Sequence, residues 1–208
     1  GDYNSTGAIT HPFDQGFLNY PDYPTDGSAT TVNNYRRGVM LFGDMPIFVA
    51  HDSAEVWARP EDFDLNPDGS PRVGAGVPPD YFSETGQRLG NPLYLWEQMR
   101  EDGFAFWIDR MCTQLRLFDM VRIDHFRGFE SYWEIPAEEG FAINGSWVQA
   151  DGDALFQRLH EVFGALPLVA EDLGIITPQV DALRKQHGLP GMKVLQFAFS
   201  GCSDNPYL

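Results

Sequence analysis

Apolar positions recur along this chain at two spacings, and the spacing changes where the structure should change. Val39-Met40-Leu41-Phe42 is an apolar run stopped by Gly43, and Pro46-Ile47-Phe48-Val49 follows at once, which predicts a buried strand ending in a loop. Over 97–118, Phe104, Ile108, Met111, Leu115 and Phe118 fall three and four residues apart, so one apolar stripe predicts a single helix. Residues 120–126 then read as a strand. Residues 153–163 read as a second amphipathic helix, with Leu155, Phe156, Leu159, Val162 and Phe163 on one face. A strand is predicted at 166–170. Thr177-Pro178 is a fitting N-cap and first-turn pair and Gly188 a fitting stop, which predicts a helix over 177–187. Residues 193–199 read as a last strand. By contrast, 1–34 and 58–92 are rich in Gly, Pro and small polar residues, and read as loop. Strands alternating with helices are the pattern of a parallel α/β fold. Pattern alone fits part of a TIM barrel or a doubly wound sheet.

The 208 residues suffice for one sizeable core or part of a larger barrel. Lys and Arg number 14 against 30 Asp and Glu, a formal charge of -16, so nucleic acid and anionic membranes are poor partners. A neutral ligand is not repelled. Aromatics reach 14%, which serves core packing or the stacking of sugar rings. Cys112 and Cys202 lack metal-ligand spacing and fit a reduced, cytoplasmic setting. No apolar run is long enough to span a membrane, and no signal peptide is visible. The chain opens at Gly1 rather than Met, which suggests a piece of a longer protein. Asp64-Leu65-Asn66-Pro67-Asp68-Gly69 starts like a calcium loop, but Ala75 holds the twelfth place, so it reads as a turn. His11, His51, His160 and His187 have no ligand spacing, and His160 and His187 are expected on helix surfaces.

Two carboxylates stand where chemistry is expected. Arg122 and Asp124 share one face at the end of a predicted strand, roughly 7 Å apart along it. A guanidinium that near favours the ionised carboxylate a nucleophile needs. Glu171 follows the apolar 166–170 strand, 47 residues later, and a partly desolvated Glu there would suit a general acid. Each alone also reads as an ordinary strand-end ion pair or acidic loop. Meeting in one cleft, they would suit retaining glycosidic chemistry, which uses carboxylates roughly 5 to 5.5 Å apart.

Six segments, in order, resemble the amylomaltases, the 4-α-glucanotransferases of glycoside hydrolase family 77. They are the run from Gly43-Asp44-Met45-Pro46 to Trp57, Gly76-Val77-Pro78-Pro79-Asp80-Tyr81-Phe82-Ser83, Gly90-Asn91-Pro92-Leu93-Tyr94, Arg122-Ile123-Asp124-His125-Phe126-Arg127-Gly128, Ala170-Glu171-Asp172-Leu173-Gly174 and Gly191-Met192-Lys193-Val194-Leu195-Gln196-Phe197. The resemblance implies an α/β fold, part of a (β/α)8 TIM barrel of the glycosidase type, over 35–208, with 1–34 an irregular segment unlike the family. It implies glycosyl transfer between α-1,4-glucans, maltooligosaccharides and amylose included, with no cofactor and no metal. Asp124 matches the nucleophile and Glu171 the general acid/base. Arg122 and His125 match sugar-contacting groups, and Asp80, Tyr81 and Phe82 a mobile loop over the cleft. Trp57, Asn91 and Pro92 fall in matched segments and are carried as substrate-binding candidates. The family's third carboxylate belongs to a motif beyond Leu208, and Leu89 stands where the family often has Trp. An α-glucan hydrolase and a non-catalytic fragment or glucan-binding module are the alternative readings.

Overall fold

The computed structural model describes residues 38–79 and 83–199. In chain order its elements are β1 (Phe42–Pro46), α1 (Ala54–Ala58), β2 (Val73–Val77), β3 (Gln87–Arg88), α2 (Trp96–Glu101), α3 (Ala105–Leu117), β4 (Met120–Asp124), β5 (Ser131–Pro136), β6 (Ser146–Gln149), α4 (Gly152–Phe163), β7 (Leu168–Ala170) and α5 (Pro178–Gln186).

β1, β4 and β7 form a parallel sheet with β4 in the middle. Its two faces differ sharply. Met45, Val121, Ile123, Leu168 and Ala170 point into the core, joined there by Met111 and Leu115 of α3, Leu155, Phe156 and Leu159 of α4, and Val180 and Leu183 of α5. Burial of each large aliphatic side chain is worth about 1.5–3 kcal/mol, which fixes the strand register, because a slip of one residue would turn Arg122 and Asp124 inward. The other face carries Asp44, Arg122 and Asp124. Among the described residues most aromatic rings go inside: Trp107 lies 5.2 Å from Phe129, 5.3 Å from Tyr94 and 6.4 Å from the parallel ring of Trp96.

A second, antiparallel sheet runs β3-β2-β5-β6. The fold is therefore mixed, where the sequence pattern predicts parallel strands alone and loop over 58–92. Val73-Gly74-Ala75-Gly76-Val77 hides as a strand because its glycines break the apolar alternation. Gly76 has to be glycine, since a Cβ there would sit 2.8 Å from the backbone oxygen of Gln87 as well as 2.2 Å from Ile135 Cδ1. The calcium-like segment is a tight turn, with Gly69 N–H donating to Asn66 O at 2.8 Å and Asn66 N–H to Ser70 O at 2.7 Å.

Other expectations need correction. The first strand begins at Phe42 and runs through Gly43, because the Phe118 ring packs where a Cβ would be, while Val39 and Met40 stay exposed. The helix expected over 97–118 is two helices, broken where Gly103 (φ 73°) and Phe104 (φ 60°) take the left-handed conformation, and Asp102 Oδ1 caps the second by accepting from Ala105 N–H at 3.1 Å. Its apolar stripe survives, with Phe104, Met111 and Leu115 buried. The strand expected at 193–199 is a 3-10 helix, Leu195–Phe199. Among the described residues only Pro190 O bonds along the free edge of β7, accepting from Ala170 N–H at 2.8 Å, and Leu195 and Phe199 are exposed, so no burial there supports an extended register. His187 is buried rather than on a surface, because α4 and α5 pack together there. Its ring stacks 5.6 Å from His160 and its Nε2 lies 2.9 Å from Asp153 Oδ1.

Candidate active site

The polar face of the parallel sheet gathers the charged groups singled out by the sequence. Ile123 pairs with Ala170 and Pro46 with Asp124, so one step further along β7 brings Glu171 beside Asp124 at the carboxyl ends of the strands. The turn between them is tied together by backbone bonds: Glu171 N–H donates to Ile123 O at 2.9 Å and Phe126 N–H to Glu171 O at 3.2 Å.

Arg122 organises this face. Its NH2 donates to Asp124 Oδ1, its NH1 to Asp44 Oδ1 at 2.7 Å, and its Nε to the Met192 sulfur at 3.2 Å. Burial works against the guanidinium charge, but the hydrogen bonds and charges of Asp44 and Asp124 outweigh it and hold its pKa above the ordinary value. The Glu171 carboxylate is held just as firmly. Oε2 accepts from His125 N–H at 2.9 Å and Oε1 from Leu173 N–H at 2.8 Å. A carboxylate offers about four lone-pair sites, so each oxygen keeps one in reserve.

His125 ends β4 in the left-handed conformation, φ 55°, which turns the chain sharply after Asp124. Its half-buried imidazole lies 6.3 Å from the Phe48 ring. Burial pushes its pKa down, opposed by the charges of Glu171 and Asp124 and helped by that of Arg127.

The remaining described candidates belong to other segments of the chain. Asn91 Nδ2 donates to Val49 O at 2.9 Å and so ties the segment after β1, and Pro92 is buried beneath it. Trp57, on α1, is 85% exposed. Asp80, Tyr81 and Phe82 lie outside the described residues. Asp44 and Met192 were not singled out for this site by the sequence. The period of two in β1 puts Asp44 on the polar face, but its partner is visible only once Asp44 is in register with Arg122. No sequence signal links Met192 to Arg122, 70 residues away. A cavity of about 630 Å³ opens elsewhere, between the end of β1, α1 and α3, and neither candidate carboxylate lines it. Among the described residues no group of three His, Cys, Asp or Glu is placed to hold a metal, and no helix is long and apolar enough to cross a membrane.

Comparison with known proteins places the chain in a family. The family model described as 4-alpha-glucanotransferase matches residues 23–208. The chain belongs to the 4-alpha-glucanotransferase family. It is 64% identical to the 4-alpha-glucanotransferase of Thermus thermophilus over 171 residues, which are 82% of this chain and 34% of that protein. With the Synechocystis protein of the same name it shares 51% identity over 100% of this chain and 41% of the relative. Among solved structures, an amylomaltase from Streptococcus agalactiae in complex with acarbose matches 85% of this chain and 36% of its own, at 43% identity and a TM-score of 0.81. The chain thus spans roughly a third to two fifths of the length of these family members.

Proposed function

We propose that the whole protein is a 4-α-glucanotransferase that moves α-1,4-glucan segments between chains by a retaining double displacement. The observation that carries this reading is the register of β4 against β7, which sets Asp124 and Glu171 side by side at the strand ends. Neighbouring strands lie about 4.8 Å apart, a main-chain spacing from which the two carboxyl groups can take up the roughly 5–5.5 Å of a retaining pair.

In this reading Asp124 is the nucleophile. Arg122 holds Oδ1, which leaves Oδ2 to attack the anomeric carbon. As the Asp124–glycosyl bond forms and the glycosidic bond breaks, Glu171 gives its proton to the departing 4-oxygen. The acceptor's 4-hydroxyl then attacks the anomeric carbon, its proton passes to Glu171, and Asp124 leaves as carboxylate. The guanidinium of Arg122, beside the reacting carbon, and the half-buried His125 bind the sugar. Asp80, Tyr81 and Phe82 would cover the cleft. β1, β4 and β7, with charged groups on one face and helices on the other, are read as part of a (β/α)8 barrel whose lumen is the polar face, within a catalytic domain over 35–208. The substrates are maltooligosaccharides and amylose, and a reduced cytoplasmic setting suits the two distant cysteines.

Incubation with maltotriose tests the reaction. A ladder of longer oligomers is expected, whereas glucose and maltose alone would mean hydrolysis and no change would mean a non-catalytic protein. Asp124→Asn tests the assignment: it should lower turnover by at least about a thousandfold and abolish the glycosyl-enzyme seen by mass spectrometry with an activated donor. An adduct on another residue would overturn it.

A further inference from the structure

The connection from β4 to α4 carries a surface that the catalytic reading leaves unused. Trp133 and Trp147 face each other directly across β5 and β6, with ring centroids 5.3 Å apart at 71°. Trp133 is anchored, its Nε1 donating to Ala142 O at 2.7 Å. Trp147 is not covered in this way and remains 42% exposed. Phe141 and Ile143, in the loop between the two strands, are also exposed.

This apolar surface is continuous with the candidate active site. Arg127, three residues after Asp124, lays its guanidinium 3.9 Å from the centroid of the Trp147 ring. Its NH1 donates to Ile175 O, in the loop that follows Glu171, and Ile175 is itself exposed. One arginine therefore links the exposed tryptophan to both loops that carry the carboxylates. With one face of its indole taken by the Arg127 guanidinium, Trp147 still keeps part of the ring open to the C–H groups of a pyranose, and the stacked guanidinium offers N–H donors to hydroxyls. A few donors set in an apolar surface are the usual makings of a small-molecule site. The net charge of -16, with Glu138 and Glu139 on the same loop, disfavours an anionic ligand and leaves a neutral polyol unopposed.

We propose that the Trp147 surface is a remote glucan-binding subsite, holding the part of a long α-1,4-glucan that lies beyond the reacting bond. The proposal rests on the glucanotransferase reading and adds a residue that selects for chain length. The proposal puts it beyond the sugars that a maltotriose bound next to Asp124 would occupy.

The test compares the whole protein with its Trp147→Ala and Trp147→Phe variants, on maltotriose and on amylose. Trp147→Ala should raise KM for amylose about tenfold and leave kcat/KM for maltotriose within about twofold. Trp147→Phe, which keeps a flat ring, should recover most of the loss. Equal damage on both substrates would mean a structural role and would overturn the proposal. No change on either would do the same, and would assign the surface to another part of the protein or to a second copy. Affinity electrophoresis in gels containing amylose needs no turnover. If the wild type is inactive but is retarded through Trp147, the subsite stands and the transferase reading falls. If the wild type is active and Trp147→Ala migrates unchanged in those gels, the transferase reading stands and the subsite falls.

Discussion

At the scale of single residues, the site is a matter of how much each charged group is held. Each of the three nitrogens of Arg122 makes one hydrogen bond, Asp44 taking one of them at 2.7 Å, which leaves two of its five N–H groups for a ligand. Asp44→Asn removes the charge that balances the second arm of the guanidinium, so the Asp124 carboxylate should be less well aimed. A fall in kcat of about tenfold with little change in KM is expected, and steady-state kinetics on maltotriose would check it. His125 makes a prediction of the opposite kind. Burial holds its folded pKa below the ordinary value of 6.5, so the unfolded chain takes up this proton first as pH falls. Stability contributed by neutral His125 is therefore intact above about pH 6.5 and is lost as pH drops through 6.5 towards the lower folded value. His125→Asn tolerates the left-handed backbone and cannot titrate. Urea denaturation at pH 7.5 and 5.5 should show a smaller loss of stability for the variant than for the wild type. Glu171 shows why residue type alone can mislead. Both its oxygens accept backbone N–H bonds, so Glu171→Gln would turn an amide NH2 against one of those donors and would not act as a neutral isostere.

At the scale of elements, the parts with the strongest periodicity were the ones legible in the sequence. α5 begins where Thr177-Pro178 said it would, with Thr177 Oγ1 accepting from Val180 N–H at 3.4 Å. Thr177→Ala should cost about 1 kcal/mol, measured as a shift in the denaturant midpoint. β4 was legible as well, since Val121 and Ile123 alternate with Arg122 and Asp124, and it carries half of the candidate site. What stayed hidden was set by tertiary contacts. The break at Gly103 and Phe104 carried one local mark, the turn dipeptide Asp102-Gly103, but every position of the apolar stripe lies on its far side and so gave no phase shift to reveal it. Leu195 to Phe199 has the composition of a strand but no bonded ladder to join. β5 and β6 are short and mixed in polarity, and they make sense only as partners of each other and of β2. Asp124 and Glu171 could be singled out as candidates from their places after apolar runs, whereas Asp44 needed the register of β1 against β4 and Met192 the tertiary fold.

Across the whole molecule, the two sheets are not independent. The antiparallel sheet takes β2 and β3 from the connection between β1 and β4, and β5 and β6 from the connection between β4 and α4. Pairing of β2 with β5 runs from Val73↔Pro136 to Gly76↔Trp133 and so laces one crossover to the next. Chain continuity is then only one of several things holding the pieces in place. A single peptide bond cut at exposed Gly140, between β5 and β6, would leave the two fragments joined by the β5–β6 ladder, by the β4–β7 ladder and by the common core. The nicked protein should elute from a sizing column as one species and part into two only in denaturant. Elution as two separate fragments under native conditions would show that the lacing is too weak to act. A chain that survives such a cut can also be supplied in two halves, so the second sheet makes this fold a candidate for reassembly from separately expressed pieces.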